Sequence, residues 1–161
     1  MILLKISEIQ KAMAHLLIRD AFDECYLEQA EVLTFAKLTM QGGRNPNWYD
    51  EAPADDWVRW KECKPTIFTY IKGDRTPTMM RISLKLRAEF AEKLLENSGV
   101  YDLYLQEKPM LQLQFRYEKQ ELVFVTGITH VEFTMDKRIE FAWDAAVEQY
   151  VRSLGVGAER G

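Results

Sequence analysis

The chain has few residues that could do chemistry. His15 and His130 are its two histidines and lie far apart in sequence, with no HExxH between them. Zinc needs nitrogen, sulfur or carboxylate ligands clustered at short spacing, and neither histidine has such neighbours. Each reads as an ordinary histidine rather than a metal ligand, and no metal or cofactor is implied. Asp50, Glu51, Asp55 and Asp56 form an acidic run that could attract a divalent cation. They lack the alternating ligands, central glycine and closing glutamate of a calcium loop, so the run reads as solvated. Cys25 and Cys63 have no flanking base signature, and no GxSxG elbow occurs. Gly155-Val156-Gly157 matches the start of a dinucleotide fingerprint but follows a helical pattern instead of opening one.

Three groups remain as candidate binding residues. Lys72, Gly73, Arg75 and Thr76, followed by Pro77, place two cations, a flexible glycine and a hydroxyl in one turn. That chemistry suits an anion or a phosphate. It is no nucleotide loop, because the GK[ST] ending is missing, and a helix stop followed by a turn explains the same residues. Arg81, Lys85 and Arg87 alternate along a strand pattern and could line a cationic face, although a solvated sheet face has the same appearance. Trp48, Tyr49, Trp57 and Trp60 crowd large aromatics into a polar stretch. They could stack on a partner or cover one end of a sheet.

These residues must be positioned by a small set of elements. Residues 2–6 read as a short strand. Ser7 and Gln10 form a capping box opening an amphipathic helix to about Arg19, with Ile9, Met13, Leu16 and Leu17 inward. Residues 25–41 are rich in β formers and too long for one straight strand, so they are bent or broken. A turn at 42–47 leads to an exposed acidic loop through residue 56. Pro65 fits the first turn of a helix carrying Ile67, Tyr70 and Ile71, with Gly73 past its end. Residues 78–87 alternate cleanly, with Met80, Ile82, Leu84 and Leu86 inward. Residues 88–97 read as a helix, residues 110–117 and 122–128 as a hairpin, and Val131, Phe133 and Met135 as a further strand. Asp136 caps a long closing helix striped by Ile139, Trp143, Val147, Tyr150 and Leu154.

The expected fold is therefore α+β, with a curved antiparallel sheet of about five to seven strands. An N-terminal helix, a middle helix and a long C-terminal helix pack on it. Residues 1–154 form one domain and residues 155–161 a frayed tail. The 161 residues, 47% apolar and 29% charged, suit a single core. The net charge of −4 disfavours a protein that grips nucleic acid over its whole surface. No apolar run is long enough for a membrane span, and two cysteines make no disulfide framework, so a cytoplasmic location with reduced thiols is expected.

The 72–77 turn, the 133–137 segment, Ala142-Trp143 and the 31–35 strand together resemble a family of uncharacterised proteins from Gram-positive bacteria. That resemblance implies no activity. The element order also resembles a domain of DNA sliding clamps, although the long final helix departs from clamps and fits a helix-grip fold better. The first expectation for function is a non-enzymatic binding or interaction module, acting on a protein partner or as a homo-oligomer. One alternative is a clamp-like DNA-metabolism accessory using the Arg81, Lys85, Arg87 face. The other is a metal-dependent phosphate-ester enzyme using Lys72, Arg75 and the acidic loop.

Overall fold

The computed structural model describes residues 1–161. The strands are β1 (Leu3–Ile6), β2 (Tyr26–Leu33), β3 (Lys37–Gln41), β4 (Met79–Lys85), β5 (Met110–Glu118), β6 (Glu121–Thr129) and β7 (Ala158–Arg160). The helices are α1 (Ile9–Leu17), α2 (Trp60–Ile71), α3 (Ala88–Leu95), α4 (Tyr101–Glu107) and α5 (Arg138–Ser153). All strand pairs are antiparallel and form one open seven-stranded sheet in the order β3-β2-β4-β5-β6-β1-β7.

Strand alternation decides which face is covered. Leu27, Ala30, Val32, Met80, Ile82, Leu84, Leu111, Leu113, Phe115 and Phe124 are buried and join the inward stripes of all five helices in one continuous core. The intervening Gln29, Glu31, Arg81, Ser83, Gln114 and Arg116 form a polar face, with Gln114 donating to Ser83 at 2.8 Å. Such one-sided burial is what antiparallel sheets permit. The β-rich stretch at 25–41 is broken at residues 34–36, giving the β2–β3 hairpin.

Helix α5 carries the predicted stripe, and Trp143 donates from Nε1 to the carbonyls of Gln112 and Gly127, both at 3.1 Å. Asp136 stands just before the helix and accepts from Arg138 N–H at 3.0 Å. Buried Asp144 accepts from the Thr126 hydroxyl at 2.6 Å, and that hydroxyl oxygen accepts from Ile2 N–H at 2.8 Å. These two bonds tie β1 to β6 and α5.

Several expectations need correction. Ser7 does not cap α1: its N–H donates to Gly157 at 2.9 Å, and the helix opens at Ile9. The segment after Leu154 is not frayed. Gly155, at φ 73°, stops α5 and turns the chain so that Ala158–Arg160 pair with β1. Helix α2 begins at Trp60, so Pro65 lies inside it rather than in its first turn. The missing proline N–H leaves the Lys61 carbonyl without its helical partner, at a position facing water. Helix α4 was not anticipated. Finally, Val131, Phe133 and Met135 form no strand, because β5 starts at Met110 opposite Thr129 and offers nothing beyond it to pair with.

The β5–β6 connection is a two-residue turn in which Lys119 (φ 53°) and Gln120 (φ 64°) are both left-handed. Asparagine and glycine normally fill such a turn, since a longer side chain is strained there. Replacing Gln120 by glycine is expected to stabilise the fold by about 1 kcal/mol, read from the urea midpoint at unchanged slope. A destabilised variant would mean the strain is absent.

Candidate functional site

The residues singled out in the sequence do not converge. Lys72 terminates α2, donating its N–H to Phe68 at 2.9 Å, and Gly73, Arg75 and Thr76 follow on an exposed turn. Neither Lys72 nor Arg75 has a carboxylate partner. The four aromatics scatter. Trp48 is 82% exposed, while Trp60 is fully buried and cannot meet a partner. Tyr49 is half-buried and its hydroxyl accepts from Arg44 at 2.9 Å. Trp57 lies beneath the Lys85 ammonium, 3.4 Å from the ring centroid.

The basic residues divide in the same way. Lys85 is engaged by Trp57. Arg87 has left the strand to precede α3, where it donates to Glu24 at 3.2 Å and lies 3.7 Å from Glu89. Of the three, Arg81 alone stays unengaged on the open face, paired in register with Glu31 on one side and Arg116 on the other.

Within the acidic loop only Asp55 is paired, with Arg59 at 3.5 Å, and the other ion pairs flank the loop. Glu24 accepts from Arg59 (2.9 Å), Lys61 (2.8 Å) and Arg87, and the Lys61 hydrogen bond leads in holding its carboxyl below the ordinary value. Arg44 grips Glu62 with two bonds of 2.8 and 3.0 Å, which lowers the Glu62 carboxyl. Glu62 also accepts from Arg59 N–H at 2.7 Å at the start of α2. Asp55 accepts from the Tyr26 hydroxyl at 3.1 Å. No three His, Cys, Asp or Glu side chains gather as a metal-holding group. Burial pushes the Cys25 thiol up to about 12 and the Cys63 thiol up to about 11, so both are protonated and weakly nucleophilic at neutral pH. His15 is buried, with Nε2 3.1 Å from the Leu154 carbonyl.

What the fold builds instead is an apolar cleft of about 950 Å³ at one end of the sheet. One wall is α1, through two adjacent rows, Ile9-Met13-Leu17 and Gln10-Ala14-Ile18. Phe68 and Ile71 of α2 stand beside it. The floor is Met79 and Met80 at the start of β4, with Leu33 and Tyr117 ending β2 and β5. Thr76 and Pro77 bring the 72–77 turn to the rim, and Lys119 and Gln120 bring the strained hairpin turn.

The sequence reading assigned Ile9 and Met13 to the core. In the structure the core takes Ala12, His15, Leu16 and Leu17, and leaves Ile9 and Met13 half-buried toward the cleft. A signal existed: α1 and the Ile18 that follows it have apolar residues at positions 9, 12, 13, 14, 16, 17 and 18, a wider arc than packing on a sheet requires.

No curated protein and no solved structure matches the chain. A family model does match, over residues 15–159, described as a family of unknown function, DUF5721. Its span takes in the end of α1 and every later element as far as β7, so the chain belongs to that family of unknown function.

Proposed function

We propose that the protein is a non-enzymatic binding module whose site is the cleft between α1, α2 and the ends of β2, β4 and β5. The observation that carries this reading is the cleft itself: about 950 Å³ of space with a predominantly apolar lining and a few polar groups at the rim. Ligand sites typically have this size and make-up. Met13, Met79 and Met80 give the lining a deformable surface that can adjust to an apolar guest. The buried, protonated thiols and the absence of converging acid–base groups favour binding over chemistry.

Nile red, a neutral apolar dye, should bind the protein and fluoresce. Ala14 is half-buried on the cleft wall, so Ala14→Trp fills the space without entering the core. That variant should bind dye at least about tenfold more weakly, with thermal stability little changed. Equal dye affinity in the two proteins would reject the cleft as the site.

The open sheet face favours a second reading, contact with nucleic acid in the manner of a clamp-like accessory. Arg81 and Arg116 lie side by side there, and neither has a carboxylate partner. Glu31 stands beside Arg81, Glu28 holds Gln112 further along the face, Lys85 is covered by Trp57 and Arg87 is paired with Glu24, which places this reading second. It requires DNA binding that weakens steeply with salt and is lost in Arg116→Glu.

A further inference from the structure

Two apolar features lack a partner, and they stand at opposite ends of the β5–β6 hairpin. The cleft lies at the turn end, where Glu118 faces Glu121 and Lys119 and Gln120 form its rim. The other feature follows the open end, where Met110 faces Thr129. There Val131, Phe133 and Met135 are 81, 93 and 84% exposed, at alternate positions. Three neighbouring large apolar side chains this exposed are unlike the scattered ones of an ordinary surface. In any extended conformation their alternation places them on one side of the segment.

We propose that the 131–135 segment of one copy occupies the cleft of a second copy, a proposal that rests on the cleft being the binding site. Nine residues of β5 separate the two features, about 30 Å at the rise of a strand, so a chain cannot fill its own cleft. The joint is therefore head to tail: each copy offers one segment and one cleft, and the assembly grows as a ring or an open chain. The charges lean the same way, since three unpaired cations, Lys72, Arg75 and Lys119, outnumber the unpaired Asp74 and Glu118 around the cleft. Glu132, between the apolar side chains, has no ion-pair partner, and neither do Lys119 at the cleft rim or Lys72 and Arg75 on the turn beside it. Opposite charges at the edge of an apolar contact fix its register and speed encounter.

Sedimentation velocity over micromolar to millimolar concentrations tests this directly. The wild-type mass should rise with concentration. Phe133→Glu spoils the segment and Ile18→Glu, at a position 65% exposed on the cleft mouth, spoils the cleft. Each variant alone should stay monomeric. Their equimolar mixture should give a one-to-one dimer and nothing larger, because it contains one working segment and one working cleft. Unchanged denaturation midpoints confirm that both variants fold.

The proposal is overturned by a wild type that stays monomeric at millimolar concentration. It is equally overturned by Ile18→Glu associating like the wild type, which would mean that segments pair with each other, or by a mixture that forms no dimer. A monomeric wild type that still binds Nile red in the cleft removes self-docking alone. Loss of both results removes the binding-module reading as well.

Discussion

Replacing Trp60 by alanine is expected to cost about 4 kcal/mol or more, a large part of the 5–15 kcal/mol that stabilises a typical domain. Trp60 is fully buried in the first turn of α2, and its loss opens a cavity in the core where α1 and α2 meet. Its Nε1 also donates to the Leu16 carbonyl at 2.7 Å in a buried bond. Leu16 lies in the last turn of α1, where carbonyls have no partner within the helix, so the indole supplies what the helix cannot. Trp60→Phe separates the two effects: it keeps most of the apolar volume and orphans the carbonyl, for about 1–3 kcal/mol. Equilibrium urea denaturation measures both variants. A loss below about 2 kcal/mol in the alanine variant would show that the site collapses around the deletion.

Gly42→Ala should be nearly as damaging, by about 3 kcal/mol, although it adds one methyl group. A Cβ at Gly42 would lie 1.7 Å from the Leu27 carbonyl oxygen and 2.6 Å from its carbon. Those are backbone atoms, held on both sides. Gly42 N–H donates to Glu28 at 3.2 Å, Val58 N–H to Gly42 at 2.8 Å and Leu27 N–H to Val58 at 2.9 Å. The same place carries the register shift between Leu27 and Gln29. Relief of the clash must therefore break the backbone bonds that seat the 42–58 loop against β2. Gly43→Ala is the control, since its added Cβ meets nothing within 4 Å. The Gly42 variant should lose stability and become open to proteolysis in the acidic loop, while the Gly43 variant should change by less than about 0.5 kcal/mol. Equal behaviour of the pair would refute the close-approach argument.

The legible parts of the fold were those whose pattern depends on one element alone. Met80, Ile82, Leu84 and Leu86 alternate whatever lies beside them, and the stripe of α5 repeats over a long helix. The errors fell where a neighbour decides. The Val131-Phe133-Met135 alternation is a good strand pattern, but a strand exists only if another offers free backbone groups. The segment carrying Gly155 and Gly157 reads as a loose tail until β1 is seen to offer an edge. Helix α4 is short, with Tyr101, Leu103, Tyr104 and Leu105 giving no single stripe, and only Tyr104 is buried. Trp60, grouped in sequence with Trp48, Tyr49 and Trp57, is fully buried while Trp48 is exposed, so crowding along a chain says little about direction. The cleft was the least legible feature. Each of its walls reads as core, and the vacancy between them depends on how far α1 stands from the strand ends.

The position of β1 between β6 and β7 bears on how the protein is made. Ile2 is bound to Thr126, 124 positions later, and Glu8 to Gly157, 149 positions later. At a synthesis rate of roughly 5–20 residues per second, β1 leaves the ribosome on the order of ten seconds before its first partner exists. Throughout that interval the apolar Leu3, Leu4 and Ile6 have no strand to pair with. The earliest-made strand therefore cannot be seated until β6 exists, β7 can join only after it, and the nascent chain passes through its most aggregation-prone period before β6 appears.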